Sequence, residues 1–380
     1  MKAYLDNAAS TPMAPEVFDA MKPYFLTAHG NPSSTHSFGR ELRHAMEEAR
    51  RTIAKCLHVR PLTLFFTSGG TESDNIIILG AVNSLGVKHI ISSPIEHHAV
   101  THPIEKLEKE GRVTVSWLQV DHKGHVDMEE LRRELEAHPN SLVSIMHANN
   151  EIGTINDIQA IGEMCKEYDA YFHSDTVQTI GKIDLHLEEL PIDFISASAH
   201  KFYGPKGVGF LYIRKGVPLT GSFTGGSQER DVRPGTENTP AILGMAKALE
   251  LCCQNMEEKN AHVRHLKQTF WSYLQEDFPG IRINGETDPE KSLPGVLNVT
   301  FPGQGDPMIL FNLDLAGIAA SGGSACSSGA VMGSHVLHNI GVPEKDMPRS
   351  VRFSFGKYNS IDELNEVRKS LKSLNLLQTT

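Results

Sequence analysis

Between residues 62 and 213 the chain repeats one pattern: a short apolar run rich in β-branched and aromatic residues, then a longer amphipathic or polar stretch. The runs fall at 62–67, 89–92, 114–118, 142–147, 171–174, 194–197 and 209–213. Strands separated by helical stretches predict a mainly parallel sheet covered by helices on both faces. Ahead of this region, Leu42, Met46, Ala49, Ile53 and Leu57 recur every three or four residues, which predicts a helix over 38–57 with one side against the core.

Past roughly residue 258 the pattern changes. A helical stretch over 261–275 is followed by strand-like 296–301, a helix over 307–316 and a strand over 350–355. A last helix starts at a capping box, Ser360 with Glu363, and runs to about Leu374. The expected class is therefore α/β, with a large domain over 14–257 and a smaller α+β domain made of 1–13 and 258–380. A Gly/Ser-rich stretch at about 321–333 reads as a loop of the smaller domain.

Composition narrows the function. With 380 residues, 39% of them hydrophobic and 22% charged, the chain can bury more than one core. A net charge of −10, with Lys and Arg spread evenly, gives no footprint for nucleic acid or an anionic membrane. No apolar run is long enough to span a bilayer, and the start lacks the apolar core of a signal peptide, so a cytoplasmic location is expected. The five cysteines, Cys56, Cys165, Cys252, Cys253 and Cys326, show no paired metal-ligand spacing and leave an odd thiol.

Three motifs carry candidate chemistry. Thr67-Ser68-Gly69-Gly70-Thr71-Glu72 joins a strand to a helix-compatible run, where small residues let N–H groups and hydroxyls converge on an anion such as a phosphate. It is neither a Walker A loop nor a dinucleotide fingerprint. His173-Ser174-Asp175-Thr176-Val177-Gln178 places an acid at a strand end, suited to a pyridinium nitrogen. Ser198-Ala199-His200-Lys201 offers an amine able to form a Schiff base with an aldehyde cofactor. Singly, each has a plainer reading: a strand-to-helix turn, a helix cap and a solvated lysine. In this order, on successive strands of one sheet, chance agreement is much less plausible.

With these stand Leu5-Asp6-Asn7-Ala8-Ala9, Glu96-His97-His98-Ala99-Val100, His147-Ala148-Asn149-Asn150-Glu151-Ile152-Gly153 and Gly323-Ser324-Ala325-Cys326. Together they resemble the cysteine desulfurases, which belong to the class V aminotransferase group of fold-type I pyridoxal 5'-phosphate enzymes. The resemblance runs from residue 5 to about 356. It implies that Lys201 carries the cofactor, Asp175 holds the ring nitrogen, Gln178 the ring hydroxyl, and that His97 stacks on the ring and helps move protons. Gly70, Thr71, Ser198 and His200 would grip the phosphate. Thr236 would reach the phosphate of a partner subunit in a homodimer.

Arg352, helped by Asn150 and with Asn7 nearby, would clamp the carboxylate of L-cysteine. Cys326 would take the sulfur as a persulfide, leaving L-alanine, and pass it to an acceptor such as an iron–sulfur scaffold. Its loop resembles that of the long-loop group, although the chain stops soon after the last helix, which leaves the docking of an acceptor open. The rival readings are a selenocysteine lyase or a small-amino-acid aminotransferase of the same group. Further off stands a non-catalytic scaffold for sulfur carriers, which gives Lys201, Asp175 and Cys326 no task.

Overall fold

The computed structural model describes residues 3–302, 308–323 and 333–374. The chain opens with a short strand β1 (Ala3–Tyr4) and the helices α1 (Pro15–Leu26) and α2 (Ser37–Cys56). Then come β2 (Leu64–Thr67), α3 (Gly70–Ser84), β3 (His89–Ser92), α4 (His98–Lys109), β4 (Thr114–Trp117) and α5 (Met128–Ala137). They are followed by β5 (Leu142–Ser144), α6 (Ile158–Glu167), β6 (Tyr171–Asp175), β7 (Phe194–Ser198) and β8 (Gly209–Ile213). One seven-stranded sheet results, in the order β2-β8-β7-β6-β5-β3-β4. β7, β6, β5, β3 and β4 run parallel, while β8 is antiparallel to both of its neighbours. The mainly parallel sheet expected from the sequence is present.

Alternation explains why both faces are covered. Phe66, Ile91, Val143 and Ile195 enter one apolar cluster, while their neighbours Phe65, Ile90, Leu142 and Phe194 enter another. A strand with both sides buried reads as a continuous apolar run, which is the sequence pattern seen here. Helices α3 and α4 contribute to one cluster, through Ile77, Ala81 and Ile104. The other face receives α1, α2, α6 and α7 (Thr239–Cys253), through Val17, Ile53, Ile161 and Met245. Packing of α7 on α1 is close: a Cβ on Gly244 would stand 2.5 Å from Met21 Sδ.

The sheet edge at β2 is closed by charge. Glu229 accepts from the Phe66 amide at 2.8 Å, and Arg50 donates to the Leu64 carbonyl at 2.9 Å. The two side chains also pair with each other at 2.7 Å, each only 2% exposed. Otherwise unpaired edge groups are thus satisfied by an ion pair that spans α2 and the 221–238 loop.

The rest of the chain forms α8 (Met256–Asp277), β9 (Arg282–Ile283), β10 (Val296–Thr300), α9 (Ile309–Leu315), β11 (Ile318–Ala319), α10 (His335–Asn339), β12 (Ser350–Ser354) and α11 (Ile361–Ser373). A three-stranded antiparallel sheet, β12-β10-β9, packs with α8 and α11 around Leu266, Phe270, Val299, Phe353 and Leu364. Ala3 and Leu5 join this cluster, because β1 pairs with β11.

Half of the expected capping box forms. Ser360 accepts from the Glu363 amide at 3.2 Å, but the Glu363 carboxylate bonds Tyr4 N and Asn359 Nδ2 instead of reaching back to Ser360. The strand expected over 142–147 ends at Ser144. Beyond it the chain keeps single bonds from Ile145 N to His173 O and from His147 N to Asp175 O as it leaves the sheet. Helix α8 begins five residues before the expected start, at Met256, after Asn255 in a left-handed conformation.

Candidate active site

The carboxyl ends of the parallel strands meet in a cavity of about 240 Å³. Ligands of open α/β sheets bind at such ends, where loops diverge and leave a crevice. Gly70, Thr71, His97, Asn150, Asp175, Gln178, Ser198, His200, Lys201 and Arg352 all line it, which brings together ten of the residues singled out in the sequence.

One end is built by α3. Gly69 reaches φ +154°, and the helix then starts with no side-chain cap on its first turn. Its leading N–H groups therefore face the cavity with the positive end of the helix dipole. Gly70 allows close approach of the neighbouring turn, since a Cβ there would lie 2.7 Å from Val177 Cγ2. Ser198 ends β7, His200 stands on the turn after it, and Thr71 on α3 itself. These donors suit a phosphate.

At the end of β6, Asp175 accepts from the Val177 amide at 2.8 Å. Burial, and then the neighbouring Asp74 carboxylate, push its pKa up to about 7. An acid in this state gains from a cationic partner, as a protonated pyridine would be. Asp74, on the second turn of α3, is itself raised to about 7 by burial and faces His173 Nε2 at 3.4 Å. Glu96 adds a third buried acid, held well above the usual range by burial. It accepts from Met146 N and Ser93 Oγ, each at 2.9 Å.

Lys201 donates from Nζ to the carbonyls of Ala8 and Ala9, at 2.6 and 2.9 Å. Gln178 Nε2 reaches the same Ala8 carbonyl at 2.9 Å. His97 caps α4, its Nδ1 accepting from the Ala99 amide at 3.1 Å. Burial, followed by the charge of Lys201, lowers its pKa to about 4, and burial does the same for His200. Both rings are neutral at physiological pH, so His97 can lie against an aromatic cofactor or exchange a proton without carrying a standing charge.

At the far end Arg352, on β12, is 1% exposed. Nη2 pairs with Asp6 at 2.8 Å and Nη1 donates to the Asn150 carbonyl at 2.9 Å. Nε is buried without a partner. An orphaned guanidinium donor in a cavity wall is a place for a ligand's oxygen.

Two expected residues stand elsewhere. The Asn7 amide donates to Ser354 O at 2.9 Å and to Asn359 Oδ1 at 3.2 Å, away from the cavity, while its neighbours Ala8 and Ala9 form the wall. Thr236 is exposed on the 221–238 loop and does not line the cavity of its own chain. On the same loop, Arg233 pairs with Glu72 in the first turn of α3 at 2.8 Å. Cys326 lies outside the described residues. Six further residues line the cavity without a role expected from the sequence: Ala8, Ala9, Asp74, Met146, Ala148 and Val177. Asp74 carried a signal, an acid one helical turn past Gly70 on the buried side of the helix.

The strand-end lysine Lys201, the buried acid Asp175 and the uncapped start of α3 fit a pyridoxal-phosphate group, of the kind held by fold-type I enzymes. The chain belongs to the class V aminotransferase family, whose description "Aminotransferase class-V" matches residues 3–367. It is 46% identical over 366 residues to a protein called cysteine desulfurase IscS from Dictyoglomus turgidum, covering 96% of this chain and 92% of that one. A solved "NifS-like protein" shares 38% identity with a TM-score of 0.91, covering 98% of this chain and 99% of its own. The structure called SspA in complex with cysteine shares 33% identity with a TM-score of 0.81, over 95% of this chain and all of that chain, 100%. No helix among the described residues is long and apolar enough to cross a membrane.

Proposed function

We infer that this chain is a pyridoxal-phosphate-dependent cysteine desulfurase, converting L-cysteine to L-alanine and passing the sulfur to its own Cys326. The observation that carries the reading is that Lys201, Asp175, His97 and Arg352 line the same cavity. Lys201 would hold the cofactor, Asp175 its ring nitrogen, Gln178 its ring hydroxyl, and the start of α3 with Thr71, Ser198 and His200 its phosphate. Bound there, the cofactor supplies an electron sink for charge developing on the substrate carbons.

Arg352 orients the substrate carboxylate, and Asp6 and the Asn150 carbonyl hold its two terminal nitrogens so that the guanidinium keeps one attitude. The Lys201 amine, once free of the cofactor, removes the α-proton, and neutral His97 is placed to exchange a proton nearby. The Cys326 thiolate then attacks the substrate sulfur. A sulfur–sulfur bond forms, the carbon–sulfur bond breaks with its electron pair left on the β-carbon, which takes a proton to become the methyl of alanine, the α-carbon takes back a proton from Lys201, and Cys326 is left as a persulfide. The persulfide would pass to an acceptor protein of iron–sulfur cluster assembly or thiolation. A homodimer in which the exposed Thr236 completes the partner subunit's phosphate site accounts for its position outside the cavity of its own chain.

The test is spectroscopic and then chemical. Purified protein is expected to show a visible absorbance that Lys201→Ala abolishes, and to release alanine from L-cysteine without an added keto acid. Colourless protein that stays so with added cofactor refutes the reading, and a need for keto acid would favour an aminotransferase.

A further inference from the structure

A second cavity, of about 430 Å³, lies in the smaller domain between α8, the strands β9 and β10 and the loop over 286–294. It shares no lining residue with the cavity that holds Lys201. Its size falls within the range of sites for small organic molecules, about 300–1,000 Å³. Arg264, Lys267, Gln268 and Trp271 present one face of α8 to it, at the helical spacing of three and four residues. Opposite them stand Ile281 and Ile283, half-buried like Trp271, and the buried Leu297. We propose that this cavity binds a small organic acid, its carboxylate between Arg264 and Lys267 and its apolar body against Trp271, Ile281 and Ile283.

The two cations lack an acid. Arg264 forms no hydrogen bond or ion pair with any described residue, and its Nε is buried without a partner. Lys267 donates to Ser292 Oγ at 3.2 Å and to the Leu293 carbonyl at 3.0 Å, which occupies two of its three N–H groups and neutralises none of its charge. Burial, and then the charge of Arg264 one helical turn away, lower its pKa to about 8. The one acid among the described lining residues is Glu286. Its carboxylate is already taken by Lys123 and His125, each at 3.0 Å, and by the amides of Thr287 and Asp288, at 2.7 and 2.9 Å. Like charges three positions apart on a helix repel, and a buried donor left unpaired adds to that cost. A carboxylate between the two side chains supplies the missing counter-charge through charge-assisted hydrogen bonds.

The walls are fixed by the backbone. Gly285 takes φ +103° where the chain turns beside Ile152, and a Cβ there would stand 2.8 Å from Ile152 Cβ. Ile155 N bonds Lys291 O at 2.9 Å and Leu293 N bonds Gly153 O at 2.8 Å, which pins the loop at both places. Binding in such a preformed cavity orders little of the protein, so more of the contact energy appears as affinity.

Equilibrium dialysis of the cofactor-loaded enzyme against millimolar benzoate, naphthoate or indole acetate tests the site. Wild type is expected to bind at least one of these acids at one molecule per chain in this cavity, and to bind the corresponding uncharged alcohol at least tenfold more weakly. Arg264→Gln, which removes no hydrogen bond or ion pair, and Lys267→Met should each weaken the acid by about ten- to two-hundredfold, the loss of a charge-assisted contact, and leave the alcohol unchanged. Arg352→Lys, in the other cavity, should keep this equivalent. Binding is read directly, so the result does not depend on whether the enzyme turns over cysteine. If wild type binds none of the three acids, or if folded Arg264→Gln binds them as tightly as wild type, the site does not exist.

Discussion

Replacing Arg352 by lysine tests the clamp at the substrate end. The guanidinium engages three directions at once: Asp6 at 2.8 Å, the Asn150 carbonyl at 2.9 Å, and the cavity through Nε, which has no protein partner. Lysine keeps one positive charge near Asp6 but cannot serve all three. It avoids the failure expected of alanine, which would leave the part-buried Asp6 carboxylate without its partner, at a cost of about 3–5 kcal/mol where such pairs are fully buried. Losing a charge-assisted contact to the substrate carboxylate should cost about 1.5–3 kcal/mol, or roughly ten- to two-hundredfold in kcat/KM. Alanine formation from L-cysteine measures this. Cysteamine, which lacks the carboxylate, should inhibit wild type and Arg352→Lys equally, while 3-mercaptopropionate should lose affinity for the variant. A kcat/KM within threefold of wild type, in folded and cofactor-loaded protein, refutes the assignment.

Three further outcomes are expected. Cys326→Ser should lose persulfide formation and alanine release while keeping the visible absorbance; normal turnover would move the sulfur acceptor to another thiol. Arg50→Ala should lower stability by about 3–5 kcal/mol in urea unfolding, because it leaves Glu229 buried and unpaired at the β2 edge; a loss under 1 kcal/mol would refute the account of that edge. Asp175 has a folded pKa of about 7 against an ordinary 3.8 in the cofactor-free chain. The folded state therefore holds its proton longer than the unfolded state, and stability due to this group is full below about pH 4 and lost as pH rises through 7. Chemical denaturation of the cofactor-free protein should show Asp175→Asn gaining on wild type across that window, by an amount on the order of a few kcal/mol; parallel pH profiles would refute it.

What could be read from the sequence divides along physical lines. β3 and β8 appear where their apolar runs stand, because a strand buried on both faces admits few polar residues and its composition alone marks it. The strand after α5 ends three residues short of the expected 147, because Ile145 and Met146 are apolar for other reasons: Ile145 packs in the core under the sheet and Met146 lines the cavity. Helix α7 lacks a one-sided stripe because α1, α2 and the turn after β7 pack around it, so periodicity gave no signal there. Site residues on single strand ends were legible, as Asp175 and Lys201 show, because a strand end followed by small or polar residues has a recognisable local form. Arg352 and Asp6 are 346 positions apart, and that their pairing fixes the guanidinium is a property of the folded chain that no local pattern carries.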